Sequence, residues 1–174
     1  MIQAVVGLGN PGPQYETTRH NLGFLALDAV ADTYGVRFEE QRMRSQAEIV
    51  LDDRKIILVK PLTYMNHSGR ICPVLQRMGI AAENMLVVHD DLELSFGTIK
   101  YKKGGSTAGH NGLKSLAEQC GQQFHRIRIG IGRPSKQDVS KYVLGRFSPQ
   151  EMDELPHILN NAVAKIRSTW DAET

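Results

Sequence analysis

Two alternating periodicities restrict the fold most. Short apolar or β-branched runs at Ile2–Val6, Ala47–Leu51, Lys55–Val59, Met85–Val88, Thr98–Lys102 and Arg126–Ile131 read as strands. Between them apolar residues recur at helical spacing. Leu22, Leu25, Ala26, Ala29 and Val30 form one such set, with Gly35 as its stop. Ile71, Val74, Leu75 and Met78 form another, ending at Gly79 with Pro73 in the first turn, and Leu113 to Cys120 a third. Ser148-Pro149-Gln150-Glu151 supplies an N-cap, a proline at the first helical position and an acid two residues on. A last helix is therefore expected from there towards Trp170, disturbed near Pro156. Strands alternating with helices predict an α/β domain with a central sheet covered on both faces. The Asp52-Asp53-Arg54 junction reads as a hairpin, which makes that sheet mixed. No repeat or linker interrupts residues 1–174, so one domain is expected.

A chain of this length buries a sizeable core without disulfides or metals. No apolar run approaches the roughly 20 residues of a membrane span. Met1 to Val6 lacks a basic leader and turns into glycines at once, so a cytoplasmic protein is expected. Cys72 and Cys120 have no metal-type spacing and read as free thiols packed as small core residues. Charge is unevenly spread: Thr98 to Arg146 holds ten Lys/Arg against two acids, +8, and the rest of the chain is −6. That asymmetry suits an anionic partner on one part of the surface, or else a solvated basic face.

Gly7-Leu8-Gly9-Asn10-Pro11-Gly12 matches the dinucleotide-binding fingerprint in letters only. The fingerprint needs a helix to open at once beneath the pyrophosphate, and Pro11, Pro13 and Tyr15 keep the chain out of a helix until about Thr18. A tight loop presenting Asn10 fits better. His20 stands at the entry to the first helix, where it should be half-exposed, and a neutral imidazole is the natural base for activating water. His89-Asp90-Asp91 ends a strand at the carboxyl edge of the sheet, where sites of open α/β folds gather. A carboxylate there can fix the tautomer of His20 and stabilise its imidazolium. His89, Asp90, Asp91 and Glu93 would converge poorly on a metal from one extended segment. With no G-x-S-x-G and no activated cysteine, direct attack by water is the simplest chemistry. The loops at 60–69 and 104–112 add Asn66 and Asn111, neutral groups suited to a carbonyl, a peptide amide or a water.

The blocks GLGNPGPQYETTRHNLG, KPLTYMNHSG, HDDLELSFG, GGSTAGHNGL and FHRIRIGIGRP, in this order, resemble those of bacterial peptidyl-tRNA hydrolase across essentially the whole chain. The resemblance implies a three-layer α/β/α sandwich around a mixed, mostly parallel twisted sheet. It implies a monomer that hydrolyses the ester between a peptide and the 3′ ribose of tRNA, without metal or organic cofactor. It also implies contact with the acceptor stem and 3′ CCA end. By the same resemblance His20 is the base, Asp90 its carboxylate partner, and Asn10 the residue separating blocked from free aminoacyl groups. Tyr15, Tyr64, Asn66 and Asn111 match substrate-contacting positions. Among these, Asn66 is the expected donor to the developing oxyanion, and Met65 is expected to wall the cleft. Lys102 and Arg128 match a basic pair that clamps the tRNA 5′ phosphate. The charge of Asp91 reads as incidental.

Overall fold

The computed structural model describes residues 1–172. Its framework is a sheet whose inner strands are buried almost throughout, with unbroken apolar runs at residues 4–6, 56–59 and 85–88, the pattern of strands covered on both faces. The strands are β1 (Ala4–Gly7), β2 (Glu39–Gln41), β3 (Arg44–Leu51), β4 (Arg54–Pro61), β5 (Met85–Asp91), β6 (Ile99–Lys103) and β7 (His125–Gly130). Their order across the sheet is β2-β3-β4-β1-β5-β7-β6. The four inner strands run parallel, whereas β2, β3 and β6 join antiparallel at the margins. The hairpin expected at residues 52–54 joins β3 to β4, with Leu51 opposite Arg54.

The helices are α1 (Leu22–Tyr34), α2 (Cys72–Arg77), α3 (Asn111–Cys120), α4 (Val139–Val143) and α5 (Pro149–Ala172). One core layer packs α1 and α5 on the sheet through residues such as Leu27, Ile158 and Trp170. The other packs α2 and α3 through Leu75, Leu113 and Leu116. The sandwich is thus three-layered, as expected. The capping box forms as read: Ser148 N donates to Glu151 Oε1 at 2.7 Å, and Glu151 N to Ser148 Oγ at 3.1 Å. Gly35 closes α1 in the left-handed region, φ 66°. The helix α5 continues through Pro156 where a disturbance was expected.

The cysteines depart from expectation. Cys72 and Cys120 form a disulfide, with Cα atoms 5.5 Å apart, and are not free thiols. Their 48-residue separation hides the pairing. What brings them together is the close packing of the segment before α2 against α3, where Gly69 N donates to Ser115 Oγ at 2.8 Å. No helix among the described residues is long and apolar enough to cross a membrane.

Two glycines place the start of α1 over the strand ends. A Cβ on Gly7 would lie 2.5 Å from the Gly23 carbonyl oxygen, and one on Gly23 would run into the Val88 carbonyl and the Leu8 backbone. Only glycine allows this approach. It sets His20, three residues before Gly23, above the carboxyl edge of β1 and β5.

Candidate active site

The glycine loop after β1 does not open a helix. Two single 3-10 turns follow, Pro13–Tyr15 and Arg19–Asn21, and α1 begins only at Leu22. That conformation turns the loop into a mount for Asn10. Asn10 N donates to Asn21 Oδ1 and Asn21 Nδ2 donates back to the Asn10 carbonyl, each at 2.9 Å. The side-chain oxygen of Asn10 accepts Met65 N–H at 2.7 Å. A backbone N–H can only donate, so this bond fixes the amide orientation and leaves Nδ2, a donor, for the cleft. Asn21, which sequence reading passes over, is therefore the residue that holds the loop.

Arg19 secures the turn that carries His20. Its guanidinium pairs with Glu151 of the α5 capping box at 2.8 Å, bonds the Tyr142 carbonyl at 3.1 Å, and stacks 4.2 Å from the centre of the Tyr142 ring. His20 is 8% exposed, more enclosed than a helix-entry position suggests. Its Nδ1 lies 2.8 Å from Asp90 Oδ2. His110 supplies the other half of the enclosure: its Nε2 is 2.8 Å from Asp90 Oδ1, and its ring centroid is 4.9 Å from that of His20.

The tautomers follow from these partners. His110 Nδ1 accepts the Leu113 N–H at 3.2 Å as the cap of α3, so the proton of its neutral ring is on Nε2 and is donated to Asp90. An ionised carboxylate only accepts, so His20 donates from Nδ1. Nε2 of His20 then has no protein partner among the described residues. Asp90, 2% exposed, sits between both helical layers and accepts a hydrogen bond on each oxygen. Burial opposes its ionisation, yet the two histidines, by charge and hydrogen bond, hold its pKa far below the ordinary carboxylate range. Burial likewise disfavours charge on His20, but the charge and hydrogen bond of Asp90 outweigh it and raise its pKa above 6.5. His89 points the other way. Burial, the neighbouring ring of His110 and the Arg126 guanidinium lower its pKa to about 3, so it stays neutral.

His20, Asp90 and His110 are also the one group among the described residues whose ligand atoms, within 4.8 Å of one another, could close on a metal. This is not the His89-Asp90-Asp91-Glu93 set considered from sequence. An ion there would have to displace the protons that both histidines share with Asp90.

Around His20 the cleft has two lobes. Asn10, Tyr15, Tyr64, Met65 and Asn66 line one, and His89, Asp90, Arg126 and the 107–110 loop line the other; His20 and Asn111 border both. Asn66 and Asn111 are exposed, while Met65, 3% exposed, lies buried beneath the first of these lobes. Tyr15 and Tyr64 meet edge to face, centroids 6.4 Å apart. Tyr64 holds φ at +64°, an uncommon value for a bulky residue, immediately before Met65 and Asn66.

The basic pair is arranged differently from a clamp of two free side chains. Antiparallel register sets Lys102 opposite Arg126 and Lys100 opposite Arg128, so all four side chains share one face of β6 and β7. Lys100 and Lys102 are exposed. Arg128 is half-engaged, its Nε 2.8 Å from Asp91 Oδ2. The charge of Asp91 is thus not incidental: it fixes Arg128, whose bond in turn helps hold the Asp91 pKa low against burial.

Known proteins similar to this chain in sequence and in fold form a consistent set. The family model described as "Peptidyl-tRNA hydrolase" matches residues 4–174. The peptidyl-tRNA hydrolase of Geotalea daltonii is 45% identical over 165 residues, 93% of this chain and 86% of its own. That of Rickettsia prowazekii is 46% identical over 165 residues, 90% of this chain and 89% of its own. The crystal structure of peptidyl-tRNA hydrolase from Acinetobacter baumannii superposes with a TM-score of 0.89 at 38% identity, covering 95% of this chain and 87% of that one. With the five sequence blocks folded around one cleft, these matches establish that the chain belongs to the peptidyl-tRNA hydrolase family.

Proposed function

We propose that this chain, in carrying out the family's hydrolysis of peptidyl-tRNA, uses His20 as the general base that activates water against the ester carbonyl. The observation that carries this is a buried His20–Asp90 bond of 2.8 Å that leaves Nε2 of the ring open to the cleft. Neutral His20 takes the proton of an attacking water on Nε2 while Asp90, bound at Nδ1, stabilises the imidazolium that forms. The water oxygen bonds to the ester carbon, and the tetrahedral oxyanion is met by the amide of Asn66. The same proton then passes to the departing ribose oxygen, releasing tRNA and peptide. His110 holds the second oxygen of Asp90, so the carboxylate cannot swing away from His20. A single copy of the chain engages the substrate, with the 3′ CCA end in the cleft and the acceptor stem along β6 and β7. The direct test is incubation with N-acetyl-aminoacyl-tRNA and measurement of ester loss. An intact ester after prolonged exposure to folded protein would overturn the proposal.

Asn10 is the residue that discriminates the blocked from the free α-nitrogen. The two substrates share the ester and the tRNA and differ in an amide against an amine that is largely ammonium at neutral pH. The Nδ2 donor of Asn10 suits the acyl carbonyl of the blocked form, and a free ammonium finds only another donor in its place. A site that must leave its polar group unpaired rejects the wrong substrate strongly. In Asn10→Asp one carboxylate oxygen keeps the bond to Met65 N and the other faces the cleft. The kcat/KM ratio of blocked to free aminoacyl-tRNA should narrow at least tenfold, ~1.4 kcal/mol. Both rates falling together at constant ratio would reduce Asn10 to a loop-shaping residue.

Lys102, exposed on the basic face, contacts tRNA phosphate. Lys102→Ala should weaken tRNA binding and flatten its log–log salt dependence by about one phosphate contact. A slope equal to that of the wild type would remove Lys102 from the phosphate contacts.

A further inference from the structure

The second lobe of the cleft contains a charge the mechanism above does not use. Arg126, on β7, is 4% exposed and lines that lobe. Its Nε donates to His89 Nε2 at 3.2 Å, and its Nη1 donates to the carbonyls of Gly104 and Ser106 at 3.2 and 2.9 Å. All three acceptors are neutral. His89 donates from Nδ1 to the Asp90 carbonyl at 2.8 Å and so presents Nε2 as an acceptor. Nη2 of Arg126 has no protein acceptor among the described residues, and no carboxylate pairs with the guanidinium.

The acids of the same lobe are all engaged elsewhere. Asp90 serves His20 and His110, Asp91 binds Arg128, and Glu93 binds Arg133. A buried cation without a counter-ion is costly unless something else supplies the charge. Here neutral acceptors fix the planar fork in place and leave one donor nitrogen on a cavity wall. That arrangement receives an anion, and a guanidinium matches the oxygens of phosphate well.

We infer that Arg126 is the receptor for the phosphodiester on the 5′ side of the terminal ribose of the tRNA, seating it in the lobe opposite Asn10. This rests on the reading that His20 attacks the peptidyl ester and that the peptide lies in the Asn10 lobe. The ester is on the 2′,3′ edge of that ribose and the phosphate at its 5′ end. With the ester carbon at His20 and the peptide beside Asn10, the phosphate falls on the opposite side, where Arg126 waits. The carboxylate released by hydrolysis, in contrast, forms next to His20 itself. Arg126 thereby does two things at once: it ties the 104–106 segment to β7, and it registers the terminal nucleotide against the base.

The test uses two small substrates, an N-acetyl-aminoacyl ester of adenosine and the same ester of 5′-AMP. The wild type should favour the phosphorylated ester by about tenfold or more in kcat/KM, the size of a charge-assisted hydrogen bond, expressed mainly in KM. Arg126→Gln should bring that ratio close to one, and Arg126→Lys should retain part of it as a point charge. A merely structural role would depress both substrates together and leave the ratio at its wild-type value, which would overturn the inference. Binding of 5′-AMP against adenosine, followed by NMR shifts, reads the same ratio without hydrolysis. Failure of the ester chemistry is thereby separated from failure of the phosphate site. A wild type with no preference for the phosphate would also overturn it. So would an Arg126→Gln variant that loses affinity for an N-acetyl-amino acid but keeps its preference for 5′-AMP.

Discussion

His20→Ala should fold, bind tRNA and lose hydrolysis of N-acetyl-aminoacyl-tRNA by at least the ~10²–10⁴ that general-base catalysis contributes. The expectation of a stable fold comes from the local structure. The turn that carries His20 is anchored by Arg19 to Glu151 and Tyr142, and Asp90 keeps His110 on its second oxygen. Removal of the ring opens space at the cleft margin and leaves the core around Leu22 and Val88 intact. The loss should appear in kcat more than in KM, because the proton moves only as the transition state is reached. Single-turnover rates alongside tRNA binding check both halves. A folded variant with near-normal turnover would contradict the assignment.

Asp90→Asn should cost nearly as much, although the shape of the side chain hardly changes. The carboxylate accepts from two N–H groups, His20 Nδ1 and His110 Nε2, both at 2.8 Å. An asparagine has one accepting oxygen and one donating nitrogen. One of the two histidines must then face a donor with a donor, and either flip or turn its tautomer. If the oxygen stays with His20, His110 and the cap of α3 are disturbed; if it stays with His110, Nε2 of His20 becomes protonated and no longer a base. Loss of the charge also removes the support for the imidazolium. A fall of ~10²–10⁴ in kcat/KM is expected, bounded by the roughly 10⁴ that amidation costs in a serine-protease triad. Asp91→Asn serves as the comparison, since its bond to Arg128 serves the basic face. If Asp91→Asn proved the more damaging for the chemical step, the choice of carboxylate would be wrong.

Local signals account for most of what the sequence disclosed. The strand and helix alternation, the hairpin at 52–54, the left-handed stop at Gly35 and the capping box at Ser148 each depend on residues a few positions apart. The placement of His20 and Asp90 was legible because both sit at element ends on the carboxyl edge of the sheet. Features requiring distant segments to meet were hidden. The strand β2 is short, polar and exposed, and exists through pairing with β3, not through its own pattern. The disulfide depends on α2 and α3 lying side by side. His110 passes in sequence as one polar residue of a glycine-rich loop; only the fold shows it capping α3 with one nitrogen and holding Asp90 with the other. The expectation that His20 is half-exposed failed for the same reason, since His110 and Asp90 enclose it from different layers. Arg126 and Arg128 look equivalent in HRIRIG, yet one is buried on neutral acceptors and the other paired with Asp91.

The central claim is that a neutral His20, held by ionised Asp90, is the base. The most direct measurement is the pH dependence of kcat/KM for N-acetyl-aminoacyl-tRNA, in the wild type and in Asp90→Asn. A base works when unprotonated, so the rate should rise with pH through the pKa of His20 in the free enzyme. In the wild type that inflection should lie above the ordinary 6.5, because the charge and hydrogen bond of Asp90 outweigh burial. In Asp90→Asn burial acts without the charge, so the inflection should move below 6.5 while the plateau falls. An inflection at the same pH in both proteins, or a wild-type rate that falls as pH rises through this range, would contradict the account.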